Sequence, residues 1–111
     1  MDEDQLDLTF QALASQVRRE ILATIRANPG CNLQLVAAQF EMSRIGVMKH
    51  LDVLEAANLI VSEKVGRERS LYFNAIPIQQ IHEMWTDEYS RSFAGRLTRL
   101  KLNVEKERSK P

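Results

Sequence analysis

Two runs of helical periodicity, about residues 32–40 and 43–58, have little more than Glu41-Met42 between them. A link that short forces two helices to cross directly, and no other feature narrows the fold as much. Asn32 is the N-cap of the first run, which carries Leu33, Val36, Ala37 and Phe40 at three- and four-residue spacing. Ser43 caps the second. At about 100° per residue, Val47, Leu51, Leu54 and Asn58 share one side of it, and the apolar three make this the core face. Ile45, Lys49 and Asp52 fall opposite, with Arg44 and Met48 on the flank.

The period changes after Asn58. Residues 59–65, Leu-Ile-Val-Ser-Glu-Lys-Val, are rich in β-branched side chains. Gly66-Arg67-Glu68 reads as a turn, and Arg69-Ser70-Leu71-Tyr72-Phe73 as a returning strand. Two tightly joined helices make a helix-turn-helix, whose second helix suits a DNA major groove, and a hairpin directly after them makes the winged variant. The expected fold is mostly α with a small β-hairpin: helix-turn-helix about 32–58, wing about 59–74, and a long C-terminal helix about 77–106. The whole of residues 1–111 is expected to be one domain.

Two more helices precede this core. Leu6, Phe10, Leu13 and Ala14 are helically spaced. Ser15 caps a second helix burying Val17, Ile21, Leu22 and Ile25, which Asn28-Pro29-Gly30 ends. In the last helix Pro77 fits the first turn, and Ile78, Ile81, Trp85, Tyr89, Phe93, Leu97, Leu100 and Val104 recur every three or four residues. Such a helix is roughly 45 Å long, more than the rest of the chain can cover. A homodimer built from the first and last helices is therefore expected, with Leu6, Phe10, Trp85, Tyr89, Phe93 and Leu97 at its interface; an aromatic-lined ligand pocket is the competing account.

Charge is informative only by position. Fifteen basic residues balance fifteen acidic ones, but residues 1–7 carry four acids and no base, and residues 91–111 carry seven bases and two acids. Arg44 and Lys49 suit guanine edges or phosphates, and Ile45 and Met48 suit thymine methyl groups. Ser43 adds a phosphate contact to its cap. Lys64, Arg67 and Arg69 make the hairpin tip a candidate backbone contact, against the plainer reading of a solvated hairpin. Double-stranded DNA is thus the expected partner. The alternative is a winged helix that uses the same surface on a protein.

Enzyme readings are poor. A nucleophilic Cys31 has only His50 and His82 as candidate bases, and the four glycines form no phosphate loop. Glu83, Asp87 and Glu88 read as a solvated helix face. One cysteine excludes an internal disulfide, and no apolar run approaches a membrane span. The acidic start is unlike a secretory leader, so a cytoplasmic location is expected.

The chain resembles the winged helix-turn-helix repressors of the ArsR/SmtB family. The likeness covers about Phe10 to Asn74 and, more loosely, the final helix. It is carried by Ala12-Leu13-Ala14, Arg18-Arg19-Glu20-Ile21-Leu22 and Leu33-x-x-Val36-Ala37-x-x-Phe40-x-x-Ser43. The strongest segment is Val47-Met48-Lys49-His50-Leu51-x-x-Leu54-x-x-Ala57-Asn58-Leu59-Ile60, followed by Gly66-Arg67 and Leu71-Tyr72. The resemblance implies a homodimeric transcriptional regulator, usually a repressor, that binds a short inverted repeat. It also implies departures. Ser15-Gln16 stands where the family often has Asp-Pro, and Met48 where serine is common. The thiolate pair of the metal-sensing members would fall at Asn32 and Gln34, and His82 lacks the paired ligands of their last helix. The likeness is to the branch without metal, whose last helix carries a run like Arg96-Leu97-x-x-Leu100, so no metal and no cofactor are expected.

Overall fold

The computed structural model describes residues 1–86 and 88–108, and the side chains of all these except 88–91. Its elements are α1 (Glu3–Leu13), α2 (Gln16–Ala27), α3 (Leu33–Ala37), α4 (Arg44–Ala56), β1 (Ile60–Val65), β2 (Glu68–Phe73), α5 (Ile76–Trp85) and α6 (Glu88–Arg108). Two compact units divide within α5, Met1–Gln79 and Gln80–Pro111. Among the described residues no helix is long and apolar enough to cross a membrane.

The starts of α1 to α4 are each set by a local side chain. Asp2, Ser15, Asn32 and Ser43 each have extended backbone, and each accepts from an amide three residues on: Gln5, Arg18, Leu35 and Gly46. The core lies between α2, α4 and the hairpin: Ile21, Ile25, Val36, Val47, Leu54, Leu59 and Ile60 are its largest fully buried apolar side chains.

The end of α4 decides how the chain enters the hairpin. Asn58 has φ +59°, a left-handed conformation that asparagine tolerates better than branched residues do. Its amide donates to Glu55 O (2.9 Å), and the Leu59 amide donates to Leu54 O (3.0 Å). This is the Schellman arrangement, here with Leu54 and Leu59 both fully buried. β1 and β2 then pair antiparallel, Ile60 opposite Phe73 and Val65 opposite Glu68. Only Gly66 and Arg67 lie between them. Gly66 has positive φ (64°) and Arg67 does not, which suits the tight hairpin turn with glycine first.

A third segment joins the sheet where no strand is expected. Cys31 bridges Leu71: the Leu71 amide donates to Cys31 O and the Gly30 amide to Leu71 O, both at 2.8 Å. Gly30 has φ +81°, and a Cβ there would meet the Tyr72 hydroxyl at 3.3 Å. Glycine suits the left-handed conformation, and any larger residue would also make the Tyr72 side chain give way by a few tenths of an ångström.

Two local expectations change, the extent of α3 and the single helix over 77–106. α3 ends at Ala37, so the turn before Ser43 is longer than two residues. Gln39 and Phe40 instead donate to Val36 O and Ala37 O in three-residue turns. On α1 the buried residues are Thr9 and Ala12, while Phe10 is exposed. Thr9 is buried because its hydroxyl donates to Gln5 O (2.8 Å), and Gln5 Nε2 in turn donates to Ala57 O at the end of α4 (3.0 Å). The expected helix over 77–106 is two, α5 and α6. Between them the Thr86 hydroxyl takes the His82 carbonyl, a side-chain bond that competes with the helix ladder.

In the second unit α6 runs for 21 residues and has no buried described side chain. Phe93, Leu97, Leu100 and Val104 form an exposed stripe at helical spacing.

Candidate nucleic-acid interface

The outward side of α4 carries the residue types expected of it. Ile45 is 67 % exposed; Arg44, Met48 and Lys49 are exposed too, while Val47, Leu51 and Leu54 face the core. Ser43 Oγ accepts from the Gly46 amide (3.1 Å), so its cap role is filled and its hydroxyl proton remains to donate.

The starts of α3 and α4 and the tip of the hairpin meet at a cleft of about 240 Å³, lined by Asn32, Leu33, Gln34, Arg44, Arg67, Glu68 and Arg69. Three arginines and one glutamate therefore line one concavity. The hairpin register sets which side of the ribbon Arg69 takes. Ile60, Ser62 and Lys64 lie opposite Phe73, Leu71 and Arg69, so all six point to the same side of the ribbon. The side that is apolar at the core becomes Lys64 and Arg69 beyond it. Like charges directly opposite on a ribbon repel unless an anion lies between them.

None of Arg44, Lys49, Lys64, Arg67 and Arg69 makes an ion pair or side-chain hydrogen bond with a described residue. Arg18 and Arg19 differ sharply. Arg18 donates to Ala12 O (2.9 Å) and Gln11 O (2.8 Å), and Arg19 to Leu13 O (2.6 Å), closing the carbonyl end of α1. His50, expected as a packing residue at the edge of the buried face, is half-buried with Nδ1 3.5 Å from Arg18 Nη1.

The geometry unites some expected site residues and separates others. Arg44, Arg67 and Arg69 are together, with Lys64 beside Arg69. Lys49 is outside this cleft, further along α4. Met48 lines a smaller cavity of about 70 Å³ under the hairpin, with Leu33, Leu51, Asp52, Glu55 and Arg69. Gln34 and Glu68 belong to the cleft though sequence reasoning gave them no binding role; the capped start of α3, read from Asn32, is the signal that pointed there.

Of the expected interface residues, Phe10, Trp85, Phe93 and Leu97 are exposed, and Leu6 is half-buried. The Tyr89 side chain and Asp87 lie outside the described residues. Asn32 Oδ1 is occupied by the Leu35 amide (2.9 Å), and no group of three or more His, Cys, Asp or Glu among the described residues is placed to hold a metal ion. Cys31 is buried, and burial pushes its thiol above the ordinary value. Desolvation outweighs the backbone hydrogen bond that lowers it.

Residues 8–61 match a family described as winged helix-turn-helix DNA-binding. The helix-turn-helix-type transcriptional regulator YuzN of Bacillus subtilis is 30 % identical over 87 residues, which cover 73 % of this chain and 95 % of that protein. A crystal structure of an ArsR family transcriptional regulator is similar at TM-score 0.68 and 27 % identity, covering all of this chain and 98 % of the other. An ArsR-like transcriptional regulator from Rhodococcus sp. RHA1 shares the fold at TM-score 0.66 and 24 % identity, over 96 % of this chain and 94 % of the other.

Proposed function

The chain belongs to the winged helix-turn-helix DNA-binding regulators of the ArsR type, and on that premise we propose that it is a repressor that binds an inverted repeat of double-stranded DNA as a homodimer. The family consists of transcriptional regulators rather than enzymes. The observation that carries the reading is the division of labour among the cations. Arg18 and Arg19 close a helix end, while Arg44, Arg67 and Arg69 stand without internal partners at one cleft. Desolvated next to each other they repel; a phosphate between them reverses the sign of the interaction.

In this reading α4 enters the major groove and presents Ile45, Met48 and Lys49 to base edges. Ser43, Arg44 and the wing residues Lys64, Arg67 and Arg69 grip the backbone. The partner chain joins through Leu6 and Phe10 of α1 with Trp85, Tyr89, Phe93 and Leu97. A two-fold dimer then sets two copies of α4 in successive major grooves, about 34–36 Å apart. Repression follows from occupying a promoter.

The test is selection of bound duplexes from a random pool. Binding of wild type and Arg67→Ala is then measured over a range of salt, on the selected site and a scrambled one. Loss of one phosphate contact per protomer should weaken both duplexes alike and flatten the salt slope by about one unit per contact. An unchanged slope removes the wing from the interface. Equal affinity for selected and scrambled duplexes favours the protein-interaction reading instead.

A further inference from the structure

We propose that Ile45 and Met48 read thymine 5-methyl groups, so that sequence preference in the half-site rests largely on apolar contact. The inference rests on the DNA-binding reading above and deepens it.

The outward arc of α4 divides by chemistry. Arg44 lines the cleft with Arg67 and Arg69 and is committed to the backbone side. Ser43 is engaged as the cap. In the first two turns, the part of a recognition helix that meets base edges, this leaves Ile45, Met48 and Lys49. Ile45 is 67 % exposed and makes no use of that exposure within the chain. Met48 stands three residues on, on the same side, its Cβ about 5–6 Å away by helix geometry. Neither side chain has a donor, and the thioether is at best a weak acceptor. They cannot satisfy the polar pattern of a guanine or cytosine edge, which would be desolvated against them. The thymine methyl is the one apolar group in the major groove. At a base-pair rise of about 3.4 Å, a separation of 5–6 Å places the two methyl groups one or two steps apart. The cationic surroundings supply what apolar contact lacks. Arg44, Lys49, Arg67 and Arg69 draw in the duplex, and the apolar pair discriminates once it is there.

The experiment replaces each thymine of the selected site by deoxyuridine, one symmetric pair at a time, which removes only the methyl group. Wild type should lose about fourfold in affinity per methyl, and so about fifteenfold when both half-sites are changed. One position should lose this sensitivity in Ile45→Ala and a neighbouring one in Met48→Ala. Ile45 is exposed, so Ile45→Ala should keep the wild-type melting temperature and salt slope. If every uridine duplex binds within twofold of the parent while the scrambled duplex stays weak, DNA reading survives and methyl reading is wrong. If a penalty persists undiminished in both variants, it comes from the DNA's own deformability, and the assignment to these side chains fails. If wild type does not prefer the selected duplex at all, the parent reading is the one that has fallen.

Discussion

Arg18 Nη1 lies 3.5 Å from His50 Nδ1, so one guanidinium spans the carbonyl end of α1 and the side of α4. Because arginine only donates, Nδ1 can serve this contact only as an acceptor. A residue of α2 thereby ties the end of α1 to the side of α4.

Arg18→Ala should lower stability by about 1.5–3 kcal/mol, the usual range for hydrogen bonds to a charged group. The lower end is expected, because water can reach the Gln11 carbonyl. Arg18→Lys should recover little, since an ammonium cannot hold two carbonyls and an imidazole at once. Urea unfolding at fixed protein concentration checks this through a lower midpoint at unchanged m-value.

Phe93→Ala and Leu97→Ala should convert the protein to monomer without unfolding it. Both side chains are exposed within a single chain. Truncating a large aromatic that is buried typically costs about 3–5 kcal/mol, here at least a hundredfold in dimer affinity. Sedimentation gives the mass and far-UV circular dichroism the helix content. A wild-type chain that sediments as monomer at micromolar concentration overturns the dimer.

Cys31 should resist thiol reagents in the folded protein and react once urea exposes it. Its pKa is raised by burial, so the folded chain holds a proton that the unfolded chain gives up. Stability is therefore full below the pKa of an unfolded thiol, about 8.5, and declines as pH climbs from there towards the higher folded value. Cys31→Ala should remove that alkaline decline. Labelling rates in buffer and in urea, and unfolding midpoints from pH 7 to 10, read the two effects separately.

The sequence disclosed most where the cause is local. The caps at Ser15, Asn32 and Ser43 are a side chain and an amide three residues apart, and the core face of α4 is a matter of phase. It was silent where a polar residue is buried with its own partner. Thr9 looks like surface, yet its hydroxyl is satisfied by Gln5 O and it is fully buried, while Phe10 is exposed. The bridge from Cys31 to Leu71 and the reach of Arg18 to Ala12 depend on segments meeting in space, and no spacing rule announces them. At the interface the residue types on α4 were legible, but that Arg44 lines one cleft with Arg67 and Arg69 again depends on the tertiary fold, the register settling only the side that Arg69 takes.

The bridge at Leu71 also makes the hairpin a cantilever. Its root is clamped by Cys31 and Gly30 on one side and by the Asn74 amide on Leu59 O and Asn74 Nδ2 on Asn58 O on the other. At the free end Val65 is exposed and a Cβ on Gly66 would meet nothing within 4 Å. In such a beam deflection grows with distance from the clamp, so Arg67 at the tip has more travel than Arg69. In the DNA complex proposed above, a stiff α4 beside an elastic wing would divide tolerance unequally along an operator. The centre of each half-site would be held to a narrow geometry, while the flanks would be free to vary in groove width.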